Sequence, residues 1–124
     1  MSQFKTLSDT ELKIMQFIWD MDPLVSRSDI EEKLCSDRNL APSTIITFLT
    51  RLCDKGFLTV YRKGRTNYYS PIVSKQEYLA SENNSFLNRL YGGSVSDFAV
   101  SLCNSGISKE DLDELKRMLE ENSL

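Results

Sequence analysis

The chain has 124 residues, 40% apolar and 27% charged, which suits one domain or a small domain with an appendage. It carries 15 Lys and Arg against 18 Asp and Glu, a net charge of −3, and no histidine. Without histidine, a Gly-rich phosphate loop or paired cysteines, no catalytic constellation stands out, so the chain is not expected to be an enzyme or to hold a metal or cofactor.

In chain order, the N-terminal MSQFKTLSDTELK lacks the charged-then-apolar pattern of a secretory signal. No run approaches the roughly 20 apolar residues of a membrane helix. A cytoplasmic protein without membrane contact is expected. Ser8-Asp9-Thr10-Glu11 is a capping box, with Leu7 and Leu12 placed as a hydrophobic staple. It opens a helix over about Leu7 to Met21, with Leu12, Met15, Ile18 and Trp19 at helical spacing. Asp22-Pro23 ends it. Similar start signals stand at Ser26 to Asp29, Ser74 to Glu77 and Ser108 to Asp111. The second helix covers about Arg27 to Ser36, with Ile30, Leu34 and Cys35 inward.

Pro42 suits the first position of a third helix that runs to about Lys55, although Ala41 before it supplies no capping side chain. Gly56 ends this helix, in the left-handed conformation that glycine adopts most cheaply. Leu58 to Arg62 and Asn67 to Ser70 alternate as strands, joined by the turn Lys63-Gly64-Arg65-Thr66 and closed by Pro71. Two or three further helices follow, at about Lys75 to Tyr91, Val95 to Asn104 and Lys109 to Asn122. The cysteines Cys35, Cys53 and Cys103 are odd in number and far apart, and read as free thiols.

The third helix has two unlike faces. Ile45, Phe48, Leu49 and Leu52 fall at i, i+3, i+4 and i+7 and face a core. Ser43, Thr47, Thr50, Arg51 and Asp54 lie opposite, with Thr44 at the rim and Ile46 on the flank. Short hydroxyl side chains let a helix approach the major groove closely, Arg51 can reach a phosphate or a guanine edge, and Ile46 can meet a thymine methyl. The hairpin that follows carries Arg62, Lys63 and Arg65, a projecting basic wing suited to the phosphate backbone. Residues 41–71 hold five basic groups and one acidic, a local net of +4 inside an acidic chain. Charge within a Debye length of roughly 8–10 Å decides what a surface meets, so the total of −3 does not oppose DNA binding. The fold class is mainly α with a small β-hairpin wing. It comprises an N-terminal winged helix-turn-helix over 1–72 and a C-terminal helical region over 73–124. Double-stranded DNA is the expected partner. A merely solvated helix face, or a winged-helix adaptor that binds protein, is the alternative.

The chain resembles the penicillinase repressor family, the BlaI/MecI/CopY type. The resemblance rests on Leu7 to Glu11, Ile18-Trp19, Ser43-Thr44-Ile45 with Thr47, Arg51-Leu52 and Lys55-Gly56-Phe57. It continues through Asn67 to Pro71, Phe86 to Gly93 and Asp113 to Leu115. It implies a homodimeric transcriptional repressor that binds a pseudo-palindromic operator, one half-site per subunit. It places Ser43, Thr44, Thr47 and Arg51 in the recognition helix and Arg62, Lys63 and Arg65 in the wing. This chain has Ser43 and Ile46 where penicillinase-type members carry basic residues, so a different operator is expected. A sensor protease acting on the C-terminal region is a further implied partner, with Ser101-Leu102 standing where the resistance repressors have their Asn-Phe cleavage pair. The C-terminal CxC pairs of copper-responsive members are missing, so copper sensing is not expected.

Operator symmetry normally mirrors protein symmetry. Residues 75–124 are therefore expected to exchange helices across a two-fold axis. Phe86, Leu87, Leu90, Phe98, Leu102, Leu112, Leu115 and Leu119 would form the shared core. Proteolysis in the tail, a small molecule and thiol chemistry at Cys53 remain open as derepressing signals.

Overall fold

Helix starts follow the serines. In the computed structural model, which describes residues 4–121, α1 is Asp9–Trp19 and Ser8 caps it. Ser8 Oγ accepts from Glu11 N, and Ser8 N donates to Glu11 Oε1 at 2.8 Å, closing the box in both directions. The same reciprocal pair joins Ser74 and Glu77 at the start of α4, Lys75–Tyr91. Ser26 caps α2, Arg27–Arg38, and Ser108 caps α6, Lys109–Glu121. In these two the third residue is Asp, one methylene shorter, and only the serine's half of the box forms. Ser94 caps α5, Val95–Asn104, in the same one-sided way. The expected last residue of α6, Asn122, lies outside the described residues.

The remaining elements are β1 at Val25–Ser26, α3 at Pro42–Asp54, β2 at Leu58–Lys63 and β3 at Thr66–Pro71. The sheet order is β1-β3-β2, all antiparallel, with Val25 opposite Tyr69 and Lys63 opposite Thr66. Sequence reasoning missed β1, because two residues are too short to show a period of two. The hydrophobic pattern also misplaced the inner face of α1. Glu11, Ile14, Met15 and Ile18 are buried, whereas Leu12 and Trp19 are half-buried. A charged residue stands in the i, i+3, i+4, i+7 set, so an apolar pattern cannot centre on the true face.

The chain divides into two compact units, with the division between Glu82 and Asn83, inside α4. The first unit buries Ile14, Met15, Ile18, Ile30, Ile45, Leu49, Leu52, Phe57 and Leu58 in one core. The early turns of α4 belong to it. Tyr78 packs edge-on against Phe57, with ring centroids 5.4 Å apart, and its hydroxyl accepts from Leu7 N at 3.1 Å. Trp19 Nε1 donates to Val73 O at 2.9 Å. These bonds satisfy the polar ends of aromatic side chains that are otherwise packed.

In the second unit, Phe86, Tyr91 and Phe98 form a triangle with centroids 5.6 to 5.8 Å apart. Tyr91 Oη donates to Ser101 Oγ at 3.0 Å, tying α4 to α5. No residue of α5 or α6 is buried. Among the described residues no helix is long and apolar enough to cross a membrane.

Candidate nucleic-acid interface

The face of α3 divides as its sequence requires. Ile45, Leu49 and Leu52 are fully buried and Phe48 is half-buried. Ser43, Ile46, Thr47, Thr50, Arg51 and Asp54 are exposed, and Thr44 is half-buried at the rim. Thr47 Oγ1 donates to Ser43 O and Thr50 Oγ1 to Ile46 O, both at 3.0 Å. The Arg51 guanidinium lies 5.2 Å from the centroid of the Phe48 ring, a cation–π contact that steadies it at the edge of the face.

Both ends of α3 are set by backbone chemistry. Ala41 has the extended conformation of an N-cap but no side-chain acceptor, and Pro42 follows at the first helical position. At the other end Gly56 sits at φ +84. Phe57 N donates to Leu52 O and Gly56 N to Cys53 O, which is the Schellman pattern. This turn sends the chain directly from α3 into β2. The Gly64-Arg65 turn then reverses it, with Gly64 first in the turn at φ +63, the sign a tight hairpin needs at that place.

Arg62, Lys63 and Arg65 are all exposed on the wing. Arg62 Nε donates to Gly64 O at 3.3 Å and braces the turn. Sequence reasoning missed part of this surface. Ser26 of β1 pairs with Tyr68 of β3, which carries the start of α2 to the wing. Arg27, Ser28, Arg62, Arg65, Thr66 and Asn67 then line a polar cavity of about 270 Å³. Arg27 Nε also meets Glu31 Oε1 at 3.1 Å. Arg27 sits in the acidic first third of the chain, and only the sheet pairing brings it beside the other two guanidinium groups.

One cation counted in the basic segment is not part of this surface. Lys55 Nζ lies 2.7 Å from Glu11 Oε1 and bonds Thr6 O at 3.4 Å. Burial pushes the Glu11 carboxyl up, but the Lys55 hydrogen bond, the Ser8 hydrogen bonds and the Lys55 charge together hold it below the ordinary carboxylate range. The pair anchors the C-terminal end of α3 to α1. Burial, and secondarily the Asp54 charge, push the Cys53 thiol up, which disfavours the reactive thiolate. Among the described residues no three His, Cys, Asp or Glu side chains gather as a metal set.

The eight apolar residues expected at a dimer interface all remain at least partly exposed within their own chain. Phe86, Leu87, Phe98, Leu102 and Leu112 are half-buried. Leu90, Leu115 and Leu119 are exposed at 55%, 39% and 64%.

Comparison with known proteins bears on this surface. The family model described as penicillinase repressor matches residues 7–121. The chain is similar to the penicillinase repressor of Bacillus licheniformis, 32% identical over 123 residues, covering 98% of this chain and 95% of that protein. It is also similar to the solution structure of the DNA-binding domain of the repressor BlaI, with a TM-score of 0.56 and 31% identity. The monomeric form of Bacillus licheniformis BlaI in complex with the blaP half-operator gives a TM-score of 0.54 at 31% identity. Each of these two structures covers 63% of this chain, and the match covers 94% of each.

Proposed function

The chain belongs to the penicillinase repressor family, and on that premise we propose that this DNA-binding transcriptional repressor acts as a homodimer on a pseudo-palindromic operator. The family consists of winged-helix repressors and not of enzymes. The observation that carries the reading is the division of α3. Ile45, Leu49 and Leu52 are fully buried, while Ser43, Thr47, Thr50 and Arg51 face solvent beside a basic hairpin. In this reading α3 lies in the major groove, with Thr44 and Ile46 at the edges of the contact. Arg62, Lys63 and Arg65 meet phosphates, and Arg27 joins them.

Dimerisation through the C-terminal unit places one α3 in each half-site. The supporting observation is the apolar face that α4 to α6 leave uncovered, including Leu90, Leu115 and Leu119. Two linked half-sites raise affinity without any new contact. A sensor protease acting on the C-terminal region is the proposed third partner, and the cytoplasm the proposed location. Ser101 and Leu102 lie within α5, so a protease cutting there must first open that helix.

Footprinting on the DNA upstream of the protein's own gene tests this reading. Two protected half-sites about one or more helical turns apart support it. Protection of one site only, with a monomer in sedimentation at micromolar concentration, removes the dimer.

A further inference from the structure

Two of the hydroxyls on the outward side of α3 have already spent their protons. Thr47 Oγ1 donates to Ser43 O and Thr50 Oγ1 to Ile46 O, each at 3.0 Å. A hydroxyl has one proton, so these two residues offer the groove lone pairs and methyl groups. Asp54 on the same face also only accepts when ionised. Next to Thr50, on the flank of this face, stands Ile46, 38% exposed, whose side chain adds apolar surface there. The donors left on this side are the Ser43 hydroxyl, the Thr44 hydroxyl at the rim and Arg51, and Arg51 is held over the Phe48 ring at the edge. Lys55, engaged with Glu11, contributes nothing here.

Such a face matches some bases and opposes others. Guanine presents two acceptors in the major groove, N7 and O6, and needs donors opposite them. Adenine presents the N6 amino group as a donor, and its partner thymine presents the C5 methyl. Cytosine offers a donor without a methyl.

We propose that Ile46 is a specificity-determining residue of this repressor. With the methyls of Thr47 and Thr50 it packs against thymine C5 methyls, while the threonine oxygens accept from adenine N6. The α3 half-site is therefore read as A·T pairs by methyl contact, and an arginine–guanine pair is not its main determinant. This rests on the DNA-reading role of α3 proposed above.

The test starts from duplexes selected out of a random library by the full-length protein, so that no operator need be assumed. Anisotropy titrations then compare the selected duplex with one in which half-site thymines are replaced by deoxyuridine, which lacks only the methyl. Wild-type affinity is expected to fall about fourfold for each contacted methyl, from the transfer value of one methylene-sized group. Replacement of thymines outside the half-sites should leave it unchanged. Ile46→Ala, an exposed-site change whose fold is checked by thermal melting, should bind the thymine duplex more weakly and lose part of the uracil penalty. Equal affinity for thymine and uracil duplexes overturns the proposal, as does a selected half-site of G·C pairs. A uracil penalty that stays whole in Ile46→Ala removes Ile46 from the role. Failure to enrich any sequence overturns instead the DNA-reading premise.

Discussion

Glu11 shows how one buried charge organises this molecule. It closes the cap of α1 and at the same time holds Lys55 at the end of α3. Replacement by Gln keeps an acceptor for Ser8 N but leaves the partly buried ammonium without its counter-charge. Glu11→Gln is expected to cost about 2 kcal/mol at neutral pH, measured by urea unfolding. The sign with pH follows from the lowered folded value. The pair's contribution is full above the unfolded carboxylate range and fades as pH falls through the folded value. Thermal melts should therefore converge between wild type and variant as pH drops from about 7 to about 3; a constant gap contradicts this. Gly56 makes a second residue-scale case. Its φ of +84 suits glycine, and an added Cβ meets nothing within 4 Å. Gly56→Ala should thus cost only the left-handed strain, about 1–2 kcal/mol, without repacking the core.

At the scale of elements, α3 and the wing divide their tasks. The wing meets phosphates irrespective of sequence, so Lys63→Ala with Arg65→Ala should lower the salt slope of DNA binding by about 2 and weaken all duplexes alike. Arg27→Ala should lower it by about 1 more, because α2 brings this group to the same cavity. Ala41 already has the extended backbone of a cap, so Ala41→Ser should stabilise the chain by about 1 kcal/mol. The periodicity of α3, the stop at Gly56 and the hairpin turn were legible in the sequence, because each depends on residues within one or two turns of chain. The place of Arg27 was not, because it depends on β1 pairing with β3 across more than forty residues. Nor was the burial of Glu11, since the partner that makes it tolerable is Lys55 on another helix. The commitment of the Thr47 and Thr50 protons to the backbone is likewise a property of the folded helix.

The whole molecule consists of a well-buried N-terminal unit and a C-terminal unit whose α5 and α6 bury no residue. An amphipathic helix that keeps Leu115 and Leu119 exposed gains little from its own chain, and a second copy with the same face is the simplest cover. Leu115→Glu with Leu119→Glu is therefore expected to give a monomer in sedimentation. It should retain binding to a half-operator and lose the additional affinity for the full one. A variant that remains dimeric would place the interface elsewhere. The most direct test of the repressor reading is fluorescence anisotropy on the DNA upstream of the protein's own gene, against an unrelated duplex, at two salt concentrations and with the Lys63→Ala/Arg65→Ala variant alongside. Tight, selective, salt-dependent binding that weakens in the variant is the predicted result. Equal, weak binding to both duplexes, unchanged in the variant, would contradict it.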